Sequence, residues 1–117
     1  LGILFYLEDV VNFSVYTNCE KIHPKHGVRV AQLYSKKDAQ VMHITLQPGE
    51  KLIPHKTPVD VFFYVLEGTV QVTIGEEEQS FIRDTLIESP AHIRHFLSNH
   101  EDVPCRVLVV KTPNPTV

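Results

Sequence analysis

Between Gly27 and Lys111 the chain is cut into short runs rich in Val, Ile, Phe, Tyr and Thr, and no long segment shows capped helical periodicity. The cuts fall at Pro48-Gly49, Gly68, Gly75 and Pro90, residues that either fix φ or permit positive φ. Strands are therefore predicted over 27–34, 40–46, 60–67, 69–74, 79–82, 85–88, 94–98 and 106–111. Short strands with close turns favour a barrel or a sandwich. Glu76-Glu77-Glu78 reads as the solvated tip of a hairpin, and Asp9 to Phe13 as a helical turn or an N-terminal strand. Pro104 suits a strand start, and the tail Thr112-Pro113-Asn114-Pro115, short of two amide hydrogens, is expected to lie over the surface.

With 117 residues, no internal repeat and no linker, residues 1–117 read as one domain, so a ligand site must lie within it or between subunits. A net charge of −3 offers no basic surface for nucleic acid. The longest apolar runs, such as Val61 to Leu66, are far short of the roughly 20 residues that cross a bilayer as a helix. Leu1 to Leu7 is apolar but lacks a basic leader and a small-residue cleavage site, so it does not read as a signal peptide. Cys19 and Cys105, outside any C-x-x-C or zinc-finger spacing, point to reduced thiols and a cytoplasmic location.

Two stretches carry a more specific pattern. The first runs from Gly49 through His55, Thr57 and Val61 to Gly68; the second holds Arg83-Asp84, Pro90, His92, His95 and Asn99. Together they resemble the paired motifs of a small single-domain cupin, G-x5-H-x-H-x3,4-E-x6-G and G-x5-P-x-G-x2-H-x3-N, over residues 49–99. Thr57 stands where the second His belongs, Val61 where the Glu belongs and His92 at the internal Gly. The resemblance implies an all-β fold, an antiparallel double-stranded β-helix or jelly-roll barrel.

Residues of like parity share one face of a strand. By resemblance the barrel interior receives the odd-numbered set, so the expected ligand pocket is His55, Thr57, Val61, Phe63, His95 and Leu97. Cupin sites typically hold a divalent ion with two or three imidazoles and a carboxylate. Of those positions only His55 and His95 are kept, and two imidazoles alone hold iron, manganese, nickel or zinc weakly. Asp60, one position before the Glu site, would add a carboxylate only if a bulge turned it inward; otherwise it accepts backbone hydrogen bonds at the barrel mouth.

Of the seven histidines, His92 is expected at the pocket rim or in solvent, His43 at a surface or sheet interface, and His23, His26 and His100 exposed. Phe63 and Phe96 suit the barrel lining, and Phe62 with Tyr64 a packing between sheets or subunits. The apolar segment 3–7 suits the strand through which small cupins dimerise, so a homodimer is expected. Three functions compete: a small-molecule-binding barrel built around His55, Thr57 and His95; an enzyme, either a metal-dependent oxygenase or isomerase or one using the two imidazoles as acid and base; and a non-catalytic regulatory scaffold.

Overall fold

The computed structural model describes residues 11–116. A single helical turn, α1 (Tyr16–Cys19), leads into nine strands: β1 (Glu20–Ile22), β2 (Arg29–Lys36), β3 (Ala39–Leu46), β4 (Asp60–Glu67), β5 (Thr69–Ile74), β6 (Glu77–Ile82), β7 (Leu86–Ser89), β8 (His95–Ser98) and β9 (Cys105–Thr112). They form a six-stranded sheet, β1-β2-β3-β9-β4-β7, and a three-stranded sheet, β6-β5-β8, with every named pairing antiparallel. The two close on each other as a double-stranded β-helix. Among the described residues no helix is long and apolar enough to cross a membrane.

β4 and β5 match the predicted bounds, and the other predicted strands shift at their ends. β2 starts late because His23 to Gly27 closes a turn first, with Gly27 N–H donating to His23 O at 2.9 Å and Gly27 at φ +69°. The hairpin tip is Gly75-Glu76 alone: Glu77 and Glu78 already pair with Ile74 and Thr73. α1 and β1 carry too few residues for a period to show. Of the segment 9–13, Asp9 and Val10 lie outside the described residues and Val11 to Phe13 form no regular element; segment 3–7 also lies outside them.

Thr112, Pro113 and Thr116 are exposed, so the tail runs over the surface, pinned at one residue. Asn114 is buried, its backbone N–H donating to Lys37 O at 3.2 Å and its Nδ2 to Ser35 Oγ at 2.8 Å. Two missing amides stop a ladder, but one amide side chain is enough to anchor the segment.

Alternation along β4 builds the core. Val61, Phe63 and Val65 point inward and are buried, between half-buried Phe62, Tyr64 and Leu66. They meet Leu46, Val107 and Val109 of the same sheet and Val70, Val72 and Leu97 of the other. Each such side chain contributes about 1.5–3 kcal/mol by leaving water. The β4–β5 junction tolerates only glycine: a Cβ on Gly68, at φ +74°, would stand 2.6 Å from Pro104 O and 3.0 Å from Cys105 Cα.

The segment before β4 stitches the sheets together. Leu52 N–H donates to Leu97 O (2.9 Å), and His55 and His95 exchange backbone hydrogen bonds of 3.2 and 2.9 Å. This pairing carries two histidines, one from each motif, to the same place at the barrel mouth.

Candidate functional site

His95 is 2% exposed and held on every side. Its Nδ1 lies 2.7 Å from Ser89 Oγ, its Nε2 lies 3.3 Å from Thr57 Oγ1, and Phe63 packs edge-on at 5.4 Å between centroids. Burial first, then His55 and Lys111, lowers its pKa to about 4, so the ring is neutral at neutral pH. Both ring nitrogens are taken by hydroxyls.

His55 lies beside it, edge to face at 4.9 Å between centroids. Its Nδ1 lies 3.0 Å from Ile53 O. A carbonyl can only accept, so Nδ1 carries the proton and the Nε2 of the neutral ring keeps a lone pair. Of the two paired imidazoles, His55 is the one with a nitrogen to offer.

Both rings border a cavity of about 210 Å³. Its apolar wall is Val30, Met42, Ile44, Leu52, Phe63 and Val109, with Phe96 alongside; its polar groups are Gln32, Gln40, His23, His26, Lys111 and Thr116. Gln40 Nε2 donates to Gln32 Oε1 at 3.1 Å, so these amides satisfy each other in part.

His23 and His26, expected in solvent, are half-buried cavity residues. The turn at Pro24 folds His23 back so that its Nδ1 accepts the Lys25 and His26 amides at 3.0 and 3.2 Å. His26 Nδ1 accepts from Ile53 N at 2.7 Å, tying this turn to the segment that carries His55. Burial is the first cause lowering the pKa of both, His26 to about 4, with neighbouring imidazoles and lysines adding to it. The rings of His23, His26, His55 and His95 follow one another at 4.5, 5.6 and 4.9 Å between centroids.

The remaining expected site residues lie elsewhere. Thr57, Val61 and Leu97 are buried behind the cavity, Thr57 holding His95 and the other two in the core. Asp60 is exposed outside the cavity, its Oδ1 accepting Ala91 N–H at 2.9 Å. His92 and His100 are exposed. His43 sits on the outer face of the six-stranded sheet, as its parity requires, but is only 1% exposed because Tyr16 of α1 stacks on it at 4.0 Å. Asn99 is a brace: its Nδ2 donates to Leu46 O and Val103 O, both at 2.9 Å, and its Oδ1 accepts Glu101 N–H.

A paired-sheet barrel with two motif histidines joined at its mouth matches the cupin domain family model over residues 42–111. The chain is a cupin. It is 35% identical over 72 residues to the tetracenomycin polyketide synthase protein TcmJ of Streptomyces glaucescens, covering 61% of this chain and 48% of that protein. The chain thus spans about half the length of the curated relative it matches. TT1209 from Thermus thermophilus superposes with a TM-score of 0.77 at 24% identity, covering 90% of this chain and 100% of that one. KdgF from Halomonas sp. also reaches 0.77, at 17% identity, over 89% and 94% of the two chains. At these identities the likeness to solved structures is one of fold.

In this cupin the two glycines of the second motif are replaced by Asp84 and His92, and both residues nevertheless hold the left-handed backbone, φ 66° and 68°. Both turns take the left-handed backbone without the residue that adopts it most readily. Two of the four metal-ligand positions have not kept their chemistry. Val61, at the carboxylate position, is hydrocarbon in the core, and Thr57 spends its hydroxyl on His95. Among the described residues no group of three or more His, Cys, Asp or Glu is placed to hold a metal ion. The donor set does not fit the cupin metal centre.

Sequence reading missed His23, His26, Gln40 and Lys111 at this site. Parity carried the signal for two of them: Gln40 shares a face with Met42 and Ile44, and Lys111 with Val107 and Val109. No periodic signal exists for His23 and His26, which lie in a turn.

Proposed function

We propose that this cupin binds a small organic molecule in the cavity beside His55, with the Nε2 of that ring as an acceptor facing a mostly hydrocarbon wall. The observation that carries the reading is the cavity itself. Its volume of about 210 Å³ exceeds the roughly 150 Å³ in which an apolar protein cavity holds benzene. An apolar hollow with a few convergent polar groups is the usual form of a ligand site. Similarity to a polyketide synthase protein supports a small organic ligand over a macromolecule.

A second reading, proton transfer at His55, is favoured by the Ile53 carbonyl, which fixes the ring tautomer and leaves Nε2 able to take a proton. We further propose a cytoplasmic homodimer. Free thiols at Cys19 and Cys105 suit a reducing compartment, and the half-buried Phe62, Tyr64 and Leu108 on the outer sheet face suit a subunit contact.

Binding is tested by a thermal-shift panel of sugars, small acids and aromatic metabolites. At least one class should raise the melting temperature saturably, and Val109→Trp, which fills the cavity, should abolish the shift. No shift with any member would overturn the reading. EDTA should leave wild-type stability unchanged; near-stoichiometric metal that is lost in His55→Ala would instead show that the two-imidazole site holds an ion.

A further inference from the structure

The cavity is electrostatically one-sided. Lys111 brings an ammonium to its lining, and among the described residues no Asp or Glu lines it. Lys111 is half-buried on β9, its backbone paired with Gln40 on one side and Val61 on the other. The ion pair among the described residues, Arg106 with Glu67, lies elsewhere, and among those same residues no hydrogen bond involves the Lys111 ammonium. Burial lowers the Lys111 pKa, and its charge in turn contributes to the lowered pKa of His23, His26 and His95. The ammonium therefore acts on the same space as three of the four rings.

Two of those rings add donors rather than competing charge. His23 and His26 each accept backbone N–H groups at Nδ1, so in the neutral ring Nε2 carries the proton. One cation, two imidazole N–H groups and no acid form a complement to a single negative charge. A half-buried ammonium without a counter-ion is costly, and a bound anion removes that cost.

We propose that the ligand of this cavity is an organic carboxylate, its carboxylate paired with the Lys111 ammonium and its apolar body against Leu52, Ile44 and Val109. This rests on the small-molecule reading above and names the class of molecule. A monoanion suits the site better than a phosphate, whose second charge would find no second lysine or arginine in the lining.

The test compares hexanoate and benzoate with their neutral amides, hexanamide and benzamide, by NMR titration of wild type, Lys111→Met and Lys111→Gln. In wild type at least one carboxylate should bind about tenfold or more tightly than its amide, the preference a charged hydrogen bond supplies. In both variants carboxylate affinity should fall by a similar factor while amide affinity holds, which also shows that the variants are folded. Equal binding of carboxylates and amides in wild type, or undiminished carboxylate binding in the variants, overturns the carboxylate assignment and leaves the cavity reading standing. No binding by any of the four probes overturns the carboxylate assignment, while the cavity reading falls only if the wider thermal-shift panel also shows no stabilisation.

Discussion

Two histidines of this barrel, His95 inside it and His43 on the outer sheet face, are alike by the criteria that usually mark a functional residue. Both are nearly inaccessible, and both have the pKa lowered to about 4 with burial as the first cause. Their surroundings differ. His95 has a hydroxyl on each ring nitrogen and stands at the edge of a cavity. His43 accepts from Arg106 Nε at 3.0 Å, lies under Tyr16 and leaves Nδ1 without a partner among the described residues. Arg106 also stands 4.5 Å over the Tyr16 ring and reaches Glu67 at 3.1 Å, so His43 belongs to a sealed surface brace. Burial and a shifted pKa do not by themselves make a site. Empty volume with convergent polar groups makes the better candidate, and there the ring nitrogen without a partner among the described residues belongs to His55 rather than to its more deeply buried neighbour.

The sharpest way to break this contrast is to remove each ring. His95→Ala leaves a void and two buried hydroxyls without partners, and should cost about 2–4 kcal/mol in urea unfolding. Loss of less than about 1 kcal/mol would mean that the His95 cage is not a structural unit.

A smaller effect comes with acid. His26, His43 and His95 have folded pKa values near 4 against the ordinary 6.5, so the unfolded chain binds more protons between those limits. Their contribution to stability is complete above pH 6.5 and is lost as the pH falls from 6.5 toward about 4. Urea midpoints should decline across that window, and replacing either His43 or His95 should flatten the decline. A flat wild-type profile would contradict the neutral state of all three in the folded protein.

The smallest change is expected from His43→Phe. It keeps the stack on Tyr16 and removes the unpartnered Nδ1, while Arg106 retains Glu67 and access to water, so stability should move by less than about 1 kcal/mol. A cost matching that of His95→Ala would erase the distinction between brace and site.

Much of the barrel was legible in residue order. Alternation in β4 and the breakers at Gly49, Gly68, Gly75 and Pro90 express constraints that act within a few residues. The candidate site was legible only where it shared those constraints. His55 and His95 stand at motif spacing, and Phe63 has the inward parity of β4. Thr57 and Val61 have their motif positions too, but whether such side chains reach a cavity or fill the wall behind it depends on what packs opposite.

Residue order is enough to read a β-barrel of cupin type and to see that two of its four metal-ligand positions carry a hydroxyl and a hydrocarbon. Strand parity, turn residues and side-chain chemistry are local properties, and they survive being read one residue after another. Only packing between distant segments places the turn at His23 and His26 over the barrel mouth, brings Lys111 to the same cavity, and leaves His55, unlike His95, with a ring nitrogen that has no partner among the described residues. Those outcomes rest on contacts between segments far apart in the chain: His26 to Ile53, Thr57 and Ser89 to His95, and Lys111 beside Gln40 and Val61. Such contacts are set by sheet closure, which no short stretch of sequence encodes.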